Sequence, residues 1–372
     1  MRKVCVLTTV HHAYDGRIYH KQCKTLEKDG YEVTLIAPKP EYIKGNDDIN
    51  LIPISKPKVE WKRFIHTFSI IRLAIKTKAD IYHFHDPELL PVGVLLKLFT
   101  GKPVIFDVHE HYPNAIMSKK YLKKWIKNPI RYLYEIIERF CLLFLSGVIY
   151  TTDEIGKRYK KYKSCKIENY PLPNMFQNID LNKKDSNLIL YLGGITPIRG
   201  IDELIDGFNL VTKKHKDAKL IFVGAFEAEW FEKKIKEKIK ELQLENRIEF
   251  KGKVPYEEIR YYLEKASIGI LPYLPVPNHL VCLPNKLFEY LAAGVVPVAS
   301  DFSHYQKVID KAKSGLAINP TDPNSIKNGL LSLLENPDKT KVMSNNGIIA
   351  FNQLYNWEKE GEKLIAFYKE LL

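Results

Sequence analysis

Long apolar runs are missing from this chain of 372 residues. Its most apolar stretch, Phe140 to Ile149, falls well short of the roughly 18 to 20 residues that cross a bilayer, so the chain is expected to be soluble or peripheral. The N-terminus, MRKVCVLTTV, has no signal-peptide cleavage pattern and runs straight into a strand-like segment, which predicts a cytoplasmic location. Cysteine is sparse: Cys5, Cys23, Cys141, Cys165 and Cys282 form no C-x-x-C pair, so reduced, packed thiols are expected rather than a disulfide framework or zinc site. Acidic residues are outnumbered, 44 against 57 basic ones, for a formal net charge of +13. That surplus suits nucleic acid, anionic lipid or phosphorylated substrates. No nucleic-acid fold signature accompanies it, which sets the first aside. The clusters KKYLKKWIK (119 to 127) and KRYKKYKSCK (157 to 166) interleave aromatics with lysines, as a lipid-headgroup surface would; a solvated lysine-rich face is the alternative.

What is present is alternation. Short β-branched runs succeed one another with helical periods between them, the pattern of parallel βαβ units. Strands are predicted at Val4 to Val10, Val33 to Ala37, Ile49 to Ile54, Ile81 to His85, Val104 to Val108 and Gly147 to Thr151, with a helix from Arg17 to Asp29 closed by Gly30. The stretch NYPLPNMFQNIDLNKKDSN has neither period. The pattern restarts at Leu188 and continues through helices beyond Asn324. The expected organisation is therefore an N-terminal Rossmann-like domain over 1–170, a linker over 171–187 and a second Rossmann-like domain over 188–350. A helix over 351–372 is expected to pack back toward the first domain. The fold class is α/β, with two doubly wound domains facing across a cleft, and ligands are expected outside the carboxyl ends of the strands.

Several residues at predicted strand ends could carry chemistry. YLGGITPIRG runs from a strand through Gly193 and Gly194 into a helix start bearing Arg199, a combination of close backbone approach, free N–H groups and a guanidinium that would suit a diphosphate. In LPNKLFEYLAAG, Lys286 and Glu289 lie three apart on one helical face; they could serve phosphate and ribose, or form an ordinary ion pair. His83 and His85, and again His109 and His111, show H-x-H spacing at strand ends, which metal-dependent hydrolases also use. The second half supplies no carboxylate constellation to match, so no metal is expected and His83 reads as a core residue.

The runs GGITPIRGIDELIDGF, FKGKVPYEEIRYYLEKASIGILPY and PNKLFEYLAAGVVPVAS resemble the C-terminal half of family 4 retaining glycosyltransferases of the GT-B fold. TTVHHAYDGRIYHKQCKTLEKDGYEVTLIAP, HFHDPELLPVG and FDVHEHYP extend the likeness through the N-terminal half. The resemblance implies a nucleotide-sugar donor, a glycan or lipid-linked acceptor and no cofactor. It assigns Glu289 to the nucleotide ribose, Arg199 and Lys286 to the phosphates, and Asn285, Leu287, Val254, Gly193, Gly194 and Gly224 to the remaining donor contacts. His109 is implied to reach the donor sugar, with Asp15 and Gly16 on a closing loop, and Arg17, His85, Asp86 and Glu110 on the acceptor side. Two departures stand out. The family glutamate eight residues before Glu289 is Val281 here, and an arginine usual after the first glycine of the phosphate loop is Gly194. No D-x-D occurs, consistent with metal-independent transfer; the resemblance implies a setting in surface-polysaccharide assembly. A nucleotide-sugar epimerase of the same build, or a non-catalytic binding subunit lacking the Val281 carboxylate, are the rival readings.

Overall fold

Buried β-branched runs become parallel strands because both faces of each sheet are covered, which removes the need for polar alternation. The computed structural model describes residues 1–40, 48–55, 62–118 and 122–372, and at 62–68, 118, 256 and 257 the backbone alone. The chain divides into two units, Met1–Asn169 with Trp357–Leu372, and Tyr170–Asn356.

The first unit contains β1 (Lys3–Leu7), β2 (Glu32–Pro38), β3 (Asn50–Ile54), β4 (Ile81–Phe84), β5 (Val104–Val108), β6 (Gly147–Tyr150) and β7 (Ser164–Lys166). Their order is β3-β2-β1-β4-β5-β6-β7, with parallel pairing such as Val6 beside Leu35 and beside His83. The second unit contains β8 (Asp185–Leu192), β9 (Lys219–Val223), β10 (Ile248–Phe250), β11 (Ala266–Leu271), β12 (Val296–Ser300) and β13 (Leu316–Ile318), ordered β10-β9-β8-β11-β12-β13. In each sheet the order reverses beside the unit's first strand, at the β1/β4 and β8/β11 positions. Helices cover the strands by conventional amphipathic packing. Glu229–Glu241, for example, buries Phe231, Ile235 and Ile239 while keeping acids in its first turn and lysines in its last, in accord with the helix dipole.

The structure differs in detail from the expected elements at three places. The helix predicted over Arg17 to Asp29 opens as a π-helix, Ile18–Cys23, and continues as a short α-helix, Lys24–Lys28. Gly30 at φ +86 ends it. The stretch expected as linker is packed onto the second unit: Phe176 meets Phe351, the Asp180 N–H donates to Glu264, and the Lys184 ammonium donates to the carbonyls of Leu263 and Ala266. β8 also begins within it, at Asp185. The C-terminal helical stretch is broken, because the Asn356 amide donates back to Phe351 and Asn352 carbonyls and caps the helix Pro337–Leu354. The next helix, Trp357–Leu371, belongs to the first unit, where Trp357 Nε1 donates to Thr25 and the Glu360 carboxylate accepts the Glu168 N–H. All five cysteines are free, and burial pushes the Cys5 thiol up to about 12.

Candidate functional site

In the first unit the polar residues gather where β1, β4 and β5 end. Asp107 on β5 is fully buried and accepts from the Arg17 guanidinium at 2.9 Å and the Gln22 amide at 2.6 Å. The rings of His83, His85 and His109 stand 3.7, 3.9 and 3.9 Å from the same carboxylate. His83 Nδ1 lies 2.7 Å from the Tyr368 hydroxyl, so the C-terminal helix is tied into the cluster. Burial alone would raise the Asp107 pKa, but Arg17 and the surrounding imidazoles outweigh it and hold the carboxyl well below the usual carboxylate range. Burial, reinforced by neighbouring His83, pushes His85 well below the ordinary imidazole value, so it is neutral at pH 7.

Of the residues assigned by sequence, Gly16 and Glu110 are exposed and His109 is partly so, its ring meeting His11 at 4.9 Å. Asp15 Oδ1 accepts the N–H groups of Arg17 and Ile18 at 2.8 and 2.9 Å, capping the turn that follows. Arg17, His85 and Asp86, expected on the acceptor side, are all buried. Arg17 is committed to Asp107 and the Ile167 carbonyl. Asp86 accepts from the Thr8 hydroxyl and the Thr9 N–H, which fixes the loop after β1 against the end of β4. Asp86 and Arg17 thereby help to fix the loop that carries Gly16.

In the second unit, Gly193 follows β8 at φ +126, and Gly224 follows β9 at φ +153. A Cβ on Gly224 would stand 1.9 Å from the Gly193 carbonyl oxygen, so the two backbones can approach only without a side chain there. The Arg199 guanidinium donates to the Gly194 carbonyl at 2.9 Å and lies over the Tyr273 ring. The helix Ile201–Thr212 starts from left-handed Gly200 without a side-chain cap, and its first-turn Asp202 is drawn away by Lys234 and Lys238. The helix Asn285–Ala292 also starts without a side-chain cap, behind Pro284. On it Lys286 Nζ meets the buried Glu289 carboxylate at 3.1 Å. The Leu287 side chain is in the core and its N–H bonds to the Pro284 carbonyl; Asn285 and Val254 are half-buried. Cationic groups and uncapped helix starts beside glycine-only backbone can hold a phosphorylated ligand, and a buried carboxylate can accept from hydroxyls.

Sequence reasoning passes over Asp107, Gln22, Tyr368, Tyr273 and Glu227. A signal for Asp107 existed: a carboxylate within a strand of otherwise apolar, buried residues requires a charged partner. Glu227 and Tyr273 sit on loops whose approach to Gly194 and Arg199 only the fold reveals. Among the described residues, His83, His85 and Asp107 bring potential metal-ligand atoms within 4.8 Å of one another. Arg17 and Gln22 already occupy that carboxylate, and a guanidinium at the same oxygen opposes a second cation.

The profile of Glycosyltransferase Family 4 matches residues 16–169, and that of Glycosyl transferases group 1 matches residues 173–349. An uncharacterised glycosyltransferase of Methanocaldococcus jannaschii is 22% identical over 367 residues, covering 92% of this chain and 91% of its own. A capsular polysaccharide biosynthesis glycosyltransferase of Staphylococcus aureus, CapM, is 22% identical over 229 residues, covering 56% of this chain and 58% of its own. Among solved structures, Anabaena HepE in complex with UDP superposes with a TM-score of 0.75 at 13% identity, over 100% of both chains. The fold is GT-B, with a parallel-sheet unit in each half. The chain belongs to the family 4 glycosyltransferases and is an enzyme of that class.

Proposed function

We propose that this glycosyltransferase moves a hexose-type sugar from a nucleotide-diphosphate donor, with uridine as the first base to test, to a glycan or lipid-linked acceptor during surface-polysaccharide assembly at the inner face of a membrane. The observation that carries the donor half is the arrangement after β8 and β11: glycine-only backbone, the Arg199 guanidinium, and the Lys286–Glu289 pair at a helix start. Arg199 and Lys286 offset the charge that develops on the departing diphosphate, and helix N–H groups add to this, so the leaving group is stabilised where charge appears. Glu289 accepts from the ribose diol. The UDP bound by the Anabaena structure supports the choice of base, and the S. aureus capsular relative supports the setting. We assign His109 to the donor sugar, with Asp15 acting through the loop it caps. Retention of anomeric configuration follows if the departing phosphate takes the acceptor proton on the same face. The lack of a D-x-D sequence agrees with transfer without a chelated metal.

A panel of nucleotide sugars and free nucleotides, scored by thermal shift and then by product formation with and without glycan acceptors, tests this reading. A selective donor at about 100 times its Kd should add roughly 2.7 kcal/mol of apparent stability. Glu289→Gln should keep the fold and lose most of that shift. Isomerised donor without any acceptor would favour the epimerase instead, and an unchanged shift in Glu289→Gln would remove Glu289 from the site.

A further inference from the structure

The helix Lys124–Leu142 is built the wrong way round for a helix of a water-soluble surface. Its inward side carries Glu138, which is buried and accepts from the Tyr134 and Tyr159 hydroxyls and from Arg158. Its outward side carries Trp125, Tyr132, Leu133, Ile136 and Phe140, and Leu143 just beyond its end continues the stripe. Exposure of 75% at Trp125, 65% at Ile136, 59% at Phe140 and 73% at Leu143 shows that these side chains do not fold inward. At 100° per residue they share one arc. The helix cannot roll to hide that arc without pulling Glu138 away from Arg158 and the tyrosines, so the apolar side is held outward by a buried polar network. Large apolar residues presented contiguously in this way mark an interaction surface.

Charge decides the occupant. Lys123 and Lys124 are exposed at the start of the helix, Arg139 is exposed beside the stripe with Glu135 at 3.9 Å, and Arg131 lies over the Tyr132 ring. The acids of the helix, Glu135 and Glu138, are turned toward Arg158. A second copy docking on this face would set its cations against the same cations, because a two-fold interface pairs a surface with itself. An anionic bilayer instead receives cations at its headgroups and the apolar arc at the acyl boundary, with the helix lying in the plane. No helix among the described residues is long and apolar enough to cross a membrane.

We propose that the outward face of Lys124–Leu142 docks this protein on an anionic lipid surface by shallow insertion of its apolar arc, with the flanking lysines and arginines at the headgroups. The surface is a property of the first unit alone; its purpose, but not its geometry, rests on the membrane-borne acceptor proposed above.

The test is sedimentation of the full chain with vesicles of phosphatidylcholine alone or mixed with phosphatidylglycerol, in low and high salt, without substrate. The unaltered chain is expected to partition onto the anionic vesicles and to retain a residual bound fraction in high salt, because insertion is not screened. The double variant Ile136→Glu, Phe140→Glu replaces residues already in water, so its melting temperature should not move, while partitioning should fall at least tenfold. Lys123→Gln with Lys124→Gln should lower binding at low salt only. The proposal is overturned if the double variant binds as the unaltered chain does, or if anionic vesicles fail to retain the unaltered chain. A chain that ignores vesicles but dimerises, and becomes monomeric in the double variant, would show that the face meets its own copy. Nucleotide binding and transfer to a soluble acceptor, measured on the same variants, report on the donor site separately, so failure of one reading leaves the other intact.

Discussion

The two units share a topology and put polar residues at the same place in it, yet they solve opposite problems. After β1, β4 and β5 the first unit sinks its charges: Asp107, Arg17 and Asp86 are buried and paired with one another or with nearby hydroxyl and N–H groups. After β8 and β11 the second unit does little with side chains. It relies on Gly193, Gly194 and Gly224, uncapped helix starts, and a few cations at the edge of the core. The first arrangement holds a loop in one shape; the second leaves backbone available to a ligand. Damage to the first should therefore appear as lost stability, and damage to the second as lost binding.

The largest effect expected on that comparison is at Asp107. Asp107→Leu leaves the Arg17 guanidinium buried without its partner, and breaking such a pair costs about 3–5 kcal/mol. That is a large part of a typical folding margin. Equilibrium urea unfolding should show it, while the folded fraction should bind the nucleotide donor proposed above as the parent does. Arg17→Met combined with Asp107→Leu should recover a good part of the loss, because the stranded charge is then gone. A loss below about 1 kcal/mol in the single variant would mean that Arg17 finds water instead, and that the first unit is not preformed as described.

In the second unit, Arg199→Ala should leave urea unfolding little changed and weaken binding of the nucleoside diphosphate by about 1.5–3 kcal/mol, roughly ten- to a hundredfold; Lys286→Ala should weaken it as much, with a modest loss of stability because the buried Glu289 carboxylate loses its ammonium partner. The nucleoside monophosphate should lose less. Calorimetric titration of both ligands decides it: equal losses would place neither residue at the outer phosphate, and a large drop in stability would erase the contrast between the units.

Much of the sheet architecture was readable because parallel strands buried on both faces leave unbroken β-branched runs, and because Gly30 and the Pro284 helix start mark boundaries chemically. The Arg17–Asp107 pair was not, since ninety positions separate its members and nothing local distinguishes a buried arginine from an exposed one. The break at Asn356 was hidden for a similar reason: asparagine there acts through its amide on two specific carbonyls, which composition does not announce. The segment from Lys119 to Arg131 shows a third limit. Its interleaved aromatics and lysines suggested a lipid-headgroup surface, but 119–121 lie outside the described residues and the exposed stripe extends instead to Leu143. Periodicity gives a helix two faces without saying which one turns inward; the partners of Glu138 do.

A smaller effect is expected from pH, and it belongs to the first unit. His85 has a folded pKa well below its ordinary value, so below about pH 6.5 the unfolded chain binds a proton that the folded chain refuses. Stability should fall as pH drops from 6.5 toward 5, with a slope of at most about 1.4 kcal/mol per pH unit from this residue. Asp107, whose pKa is depressed, stays ionised through that window, and the stability it confers is lost only at lower pH, as the pH falls through its folded value. His85→Gln should flatten the slope in urea titrations between pH 5 and 7. An unaltered slope would mean that the residue protonates in place, with Asp107 as its counter-ion.

The smallest effect on folding should come from Gly16, and it separates the shape of a loop from its use. An added Cβ there meets nothing within 4 Å, the backbone is not in the left-handed region, and the residue is exposed. Gly16→Ala should therefore change stability by no more than about 0.5 kcal/mol, with the sign leaning toward stabilisation because the unfolded chain loses freedom. The loop around it is already fixed by Asp15 on one side and by the Thr9 contact to Asp86 on the other, so the methyl group should not disturb its neighbours. If this loop approaches the substrates during transfer, the methyl will be felt only then: KM should rise or kcat fall several-fold while the melting temperature and the affinity for the nucleotide proposed above stay where they were. Kinetics identical to the parent would show that Gly16 stands clear of both substrates, and would leave the loop after β1 a purely structural closure of the buried cluster beneath it.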